Sequence, residues 1–246
     1  MTADDPAPGP DGGARAGDDS ITASVTVTGA GRSVEVTWAV AGGRLLAGGP
    51  MFLEVTIALR DGAPGRLIAS SARSTGRSRE YSFSGTALDG RTTLRDPYAD
   101  ALEFGGVQTA QDLRADTQVV QRVLVNQFLT LEDARTAVAD GDAVDLLLRA
   151  HREVRFEDGP VDHGPDRDAT ADLRLTLHRD DAGLAAFYRR AAEAVLGAAQ
   201  ADPAREQRVL ELCTARNQVA APALTALARH PDPTVADRAR RALAAL

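Results

Sequence analysis

The chain has 246 residues, with 28 basic and 35 acidic side chains and a formal charge of −7, and its 43% hydrophobic but only 4% aromatic content predicts a globular core of Ala, Val and Leu. All the basic residues are arginine, as in GC-rich bacterial coding. Without the primary amine of lysine there is no Schiff base, no phosphate-loop lysine and no protein-kinase catalytic lysine.

The single cysteine, Cys213, rules out a disulfide within the chain. No stretch approaches the ~18 uncharged apolar residues of a membrane helix, and the start lacks the apolar run of a secretory signal. The expectation is a cytoplasmic protein. The charge divides unevenly: −4 over residues 1–19, +2 over 20–100, −4 over 101–150, −3 over 151–180 and +2 over 181–246. No segment has the basic excess interleaved with aromatics that tracks a nucleic-acid backbone.

In chain order, residues 1–19 are rich in Ala, Gly, Pro and Asp and read as a disordered tail. Period two begins at Ile21, where Ile21, Ala23, Val25 and Val27 alternate with Ser and Thr. Val34, Val36, Trp38 and Val40 follow across a Gly-Ala-Gly connection, predicting an antiparallel hairpin. Leu53, Val55, Ile57 and Leu59 mark a third strand, with shorter candidates at 66–70 and 80–84. Residues 85–117 keep neither period and predict an irregular connection with a short helix near 97–102. Strand character returns at 119–131, and an acid-opened helical turn follows. A strand running from Val144 to Phe156 and another carrying Leu173, Leu175 and Leu177 close the series.

From Asp180 the period becomes 3.6, and four helices are predicted. Asp202-Pro203 and Asp232-Pro233 each supply a cap and a first-turn proline, and Asn217 is the expected cap between them. The fold class is therefore mainly β plus α: a tail over 1–19, an antiparallel sandwich over 20–179, and a helical region over 180–246. The sandwich is loosely similar to immunoglobulin-like architecture, although the Cys, core Trp, Cys spacing of true immunoglobulin domains is missing and Trp38 lacks its disulfide. The stretch LTALARHPDPTVADRARRALAAL, part of about 30 residues, resembles a HEAT repeat: an apolar helix, a PDP turn and a second helix. That resemblance implies helices that must pack on the sandwich, a second copy or another protein.

Few constellations carry chemistry. A hairpin centred near Gly164 would set His151 and His178 about 5 Å apart, half of a zinc site with Asp172 or Glu153 beside it; two solvated histidines are the alternative. The loop 157–171 and its flank hold Glu157, Asp158, Asp162, Asp166, Asp168 and Asp172, without calcium-loop spacing. Cys213 sits among leucines as a small apolar residue, and no G-x-S-x-G selects a serine. Tyr98 and Phe104, beside paired glycines, are candidate binding residues of the 85–117 loop, with core packing as the competing role. Arg238, Arg241 and Leu246 are candidates for docking at the arginine-bearing helical end.

The expected function is a non-catalytic interaction or assembly module, a scaffold whose helical tail docks another protein or a second copy, without a cofactor, nucleic acid or membrane. The alternative is a ligand- or metal-binding β module using loops 85–117 and 157–171.

Overall fold

The computed structural model describes residues 21–29, 31–40, 44–71, 77–88, 90–100, 108–157, 168–199 and 202–246. Strands β1 (Ile21–Gly29), β2 (Arg32–Val40), β4 (Phe52–Gly62) and β8 (Gln118–Leu124) form one antiparallel sheet in the order β1-β2-β4-β8. A second sheet, in the order β3-β10-β9-β6, contains β3 (Leu45–Leu46), β6 (Tyr81–Ala87), β9 (Ala143–Glu153) and β10 (Asp168–His178). It is antiparallel except where the two residues of β3 run parallel to the end of β10. Strands β5 (Gly65–Ser71) and β7 (Gln108–Leu113) make a separate antiparallel pair.

The alternation read from the sequence decides which side chains turn inward. Val34, Val36, Trp38 and Val40 are buried, as are Leu53, Val55, Ile57 and Leu59 across from them. Leu146, Leu148, Leu173, Leu175 and Leu177 of the other sheet join them in one hydrophobic cluster. Each such side chain contributes about 1.5–3 kcal/mol by leaving water.

Helix α1 (Glu132–Thr136) lies between β8 and β9, and α2 (Asp181–Gly197), α3 (Pro203–Cys213), α4 (Ala221–Leu227) and α5 (Pro233–Leu243) follow β10. Asp180, Asp202 and Asp232 cap α2, α3 and α5 by accepting from the amides of Gly183, Ala204 and Thr234 at 2.7, 2.9 and 2.9 Å. Helix α2 packs on α3 and α4, and α5 packs on α3 and α4. Leu184, Tyr188, Val195, Leu212, Leu224, Val235 and Ala239 bury a second cluster between them.

Several expectations change. The strand expected over 119–131 stops at Leu124, and Val125–Gln127 forms a short 3-10 helix. The cause is Asn126, whose side chain accepts from the amide of Met51 at 2.8 Å and donates to the carbonyl of Gly49 at 2.9 Å, curling the chain. The two-residue β3 was not anticipated, and β7 lies inside the segment expected to be irregular. Residues 97–100 form turns, and the rest of the short helix expected there lies outside the described residues. Asn217 makes no side-chain cap bond and opens a 3-10 helix, Gln218–Ala220, ahead of α4.

The register of β9 and β10 is the largest correction. His151 faces Thr170 and His178 faces Ala143, so the hairpin is centred between residues 160 and 161. The two histidines are therefore separated by eight ladder positions, about 27 Å. Alternation fixes the face of a strand modulo two, and a slip of an even number of residues leaves every face unchanged. That is why the faces were legible and the pairing was not.

Candidate functional site

An apolar concavity lies along α2 and α4. Ala185, Arg189, Ala192, Glu193 and Leu196 recur at helical spacing on one flank of α2. Val219 of the 3-10 turn and Pro222, Ala223 and Ala226 of α4 face them. Together they bound a cleft of about 360 Å³ whose floor is mostly alanine. Leu196 is 49% exposed at its end, and among the described residues only Leu88 and Val120 are comparably exposed large apolar side chains. Arg189 and Glu193 stand on the rim 4.0 Å apart, both about two-thirds exposed.

Polar pins hold this helical face to the sheets. The turn after β3 places Gly48 at φ +81, and its carbonyl accepts from the Tyr188 hydroxyl at 2.9 Å and from Asn217 Nδ2 at 3.0 Å. Asn217 Nδ2 also donates to the Tyr188 oxygen at 3.1 Å. Burial pushes the Tyr188 hydroxyl up to about 12, against the lowering effect of Asn217. A side chain at position 48 would meet Arg135 and Glu132 at 3.0 Å in a backbone conformation that favours glycine. At the start of α2, Asp181 accepts from Arg179 Nη2 at 3.0 Å and from Arg135 Nη1 at 2.7 Å.

Those two guanidinium groups, Arg179 first, hold the Asp181 carboxyl below its usual range. A carboxylate with a depressed folded pKa stabilises the fold above its unfolded pKa of about 3.9 and loses that contribution as pH falls through the folded value. Asp181→Asn is therefore expected to cost about 1 kcal/mol at pH 7, near the top of the range for a water-screened pair. Thermal unfolding of both proteins should show the gap shrinking as pH drops below about 4; a gap independent of pH would remove the ion pair from the explanation.

A smaller polar cavity of about 120 Å³ lies beside β6, lined by Arg77, Ser78, Tyr81, Ser82, Phe83, Asp96 and Phe128. Arg77 Nη1 donates to both oxygens of Asp96 at 2.8 and 2.9 Å, and its guanidinium lies 5.2 Å from the Tyr98 ring and 5.6 Å from that of Phe128. Arg216, between α3 and α4, approaches Tyr98 at 5.6 Å. Tyr98, a candidate from the sequence, is thus clamped by two arginines from different parts of the fold. Phe104 lies outside the described residues.

The remaining sequence candidates fall apart spatially. Among the described residues, no group of three or more His, Cys, Asp or Glu side chains is placed to hold a metal ion. His151 is instead the middle of a row on the outer face of the second sheet. Its Nδ1 is 3.3 Å from Ser82 Oγ and its Nε2 is 3.3 Å from Asp168. These are the residue types of an acyl-transfer triad. With Asp168 47% and His151 30% exposed, water competes for both bonds and shelters no developing charge, so the row reads as a cross-strand polar ladder. Asp172 pairs with Arg149 at 2.7 Å and Glu157 with Arg66 at 2.7 Å, so these two acids of the loop 157–171 and its flank already have cations. Asp158, Asp162 and Asp166 lie outside the described residues.

No protein family, curated protein or solved structure matches this chain. At the helical end, Arg238 binds Glu206 and so ties α5 to α3. Leu246 packs against the helical cluster, and its carbonyl accepts from Gln218 at 3.0 Å. Both are spent within the helices, while Arg241 is exposed. Burial pushes the Cys213 thiol up to about 11, which suits a packing role. What sequence reasoning missed is Arg152, enclosed by the sheets on the inward parity of Leu146, Leu148 and Ala150. That parity was the available signal.

Proposed function

We propose that the chain is a non-catalytic protein-interaction module, in which an immunoglobulin-like β-sandwich over residues 20–179 carries a HEAT-like helical region over 180–246 that binds a partner. The observation that carries this reading is the apolar cleft along α2 and α4, ending at the exposed Leu196. A cleft of this size and lining is a recognition feature on a surface otherwise well covered by charge. The pairing of α2 with α3 and of α4 with α5, with α2 beside α4 and α3 beside α5, supports the repeat-like reading. The shared hydrophobic cluster of the two four-stranded sheets supports the sandwich. A cytoplasmic location accords with there being, among the described residues, no helix long and apolar enough to cross a membrane.

A photo-crosslinking amino acid placed at position 196, and in separate proteins at 88 and 120, tests the reading in cells of the source organism. The expected result is a discrete cross-linked species from position 196 and none from 120 on the outer face of β8. Cross-links confined to 88 or 120 would move recognition to the sheets. A second reading, a small-ligand module, draws on the Arg77 and Asp96 cavity beside β6, and its signature would be protection of residues 77–83 from amide exchange by a small polar solute.

A further inference from the structure

We propose that Arg216 is a recognition point for a carboxylate carried on an acidic peptide segment of another protein. The inference goes beyond the cleft along α2 and α4: it concerns a different place and a different chemistry, so either reading can fail without the other. Its starting point is an unmatched charge. Arg216 is half-buried between α3 and the 3-10 turn, and its guanidinium lies 5.6 Å from the Tyr98 ring. Among the described residues that ring contact is the only partner the side chain has. Every other buried or half-buried arginine described has a carboxylate or a backbone carbonyl as its partner, as Arg77 has Asp96, Arg205 has Asp232 and Arg152 has Ile68. A guanidinium drawn partly out of water loses hydration, and an aromatic face returns only part of it.

The fork is also held in place. Its neighbours Ala215 and Asn217 are buried, and Asn217 is bonded to Gly48 and Tyr188, which fixes the backbone that carries Arg216. On the other side the Tyr98 amide donates to Asp96 Oδ1 at 2.8 Å, and Arg77 grips the same carboxylate. Stacking on a ring leaves the N–H groups at the edge of the guanidinium plane free to pair with the two oxygens of a carboxylate. One unmatched fork balances one carboxylate. A phosphate dianion would bring a second negative charge close to Asp96 and Asp100, which flank Tyr98 in the chain. Arg216 lines neither the apolar cleft nor the polar cavity beside β6, so a small free acid gains no enclosure there, whereas a glutamate or aspartate within a peptide brings further contacts of its own.

The test titrates the full chain, isotope-labelled in arginine, with a short polyglutamate peptide. The readouts are the Arg216 Nε–H signal, assigned by its loss in Arg216→Gln, and the Tyr98 ring signals. Saturable shifts of both are expected, with a Kd near about 1 mM, and a polyglutamine of the same length should produce none. The chain's formal charge of −7 works against general attraction of an acidic peptide. Arg216→Lys keeps the charge and loses the planar fork, and should weaken binding at least about fivefold. Tyr98→Leu, which removes the stacking platform, should weaken it by about the same factor. Arg190→Gln, at an exposed arginine of α2, should leave binding unchanged. No shift of the Arg216 signal by about 10 mM peptide, or binding undiminished by Arg216→Lys or Tyr98→Leu, overturns the proposal. Tighter binding of acetate or inorganic phosphate than of the peptide assigns the fork to a small anion and overturns it as well. So does a displaced Arg216 signal in the free Glu103→Gln chain, because the acid would then come from the chain itself.

Discussion

Replacing Arg152 with alanine is expected to cost about 3–5 kcal/mol of folding stability. Its side chain is fully enclosed, with Nη2 donating to the carbonyl of Ile68 at 3.0 Å, Nη1 donating to the carbonyl of Glu153, and the guanidinium 4.9 Å from the Tyr81 ring. Truncation takes a donor from the Ile68 carbonyl in a buried bond and from the Glu153 carbonyl in a part-buried one, and opens a cavity between β9 and β5. Arg152→Met keeps most of the volume without the donors, so its loss should be intermediate. Urea denaturation checks both, and a loss below about 1 kcal/mol for the alanine variant would mean that water replaces the guanidinium. A second readout follows from Tyr81, whose hydroxyl donates to Gln121 and is pushed up to about 12 by burial, against the opposing charge of Arg152. Removing that positive charge should drive the tyrosine titration higher still.

The next largest effect is expected at Asn217, where substitution by alanine should cost about 2–3 kcal/mol. The amide is buried and donates to both the Gly48 carbonyl and the Tyr188 oxygen, so its loss removes two bonds at the join between helices and sheets. Tyr188→Phe removes the hydroxyl's bond to Gly48 and the oxygen that accepts from Asn217, while Asn217 keeps its bond to Gly48, and should cost about 1–2 kcal/mol. Because the three groups share one small network, the double variant should be less destabilised than the summed single variants, by about 0.5–2 kcal/mol. Simple additivity in thermal or urea unfolding would show that the groups act independently. Amide exchange in Asn217→Ala should quicken first over α4, the helix that Asn217 leads into.

The sequence was most readable where a pattern has one structural meaning. Alternation at Val34 to Val40 and Leu53 to Leu59 placed the inward faces, and Asp-Pro at 202 and 232 placed the starts of α3 and α5. Residues 125–131 carry a dense apolar run that suits either a strand or a curled segment, and a single Asn126 side chain decides between them. The zinc pairing failed because an even register slip preserves every face while moving His151 away from His178. The cleft was invisible for another reason. Ala185, Ala192, Ala223 and Ala226 serve any helix, and only the placement of α2 against α4 turns them into a lined depression. Arg152 and Asn217 are residue types that favour the surface, yet carbonyls contributed by β5, by Glu153 and by the turn at Gly48 make their burial possible.

Amide hydrogen exchange of the full chain, free and bound to the protein cross-linked through position 196, tests the central claim most directly. Docking in the cleft slows exchange over residues 185–196 and 219–226 and leaves β9 and β10 unchanged. Protection confined to the strands, with both helical segments exchanging as in the free chain, would contradict it.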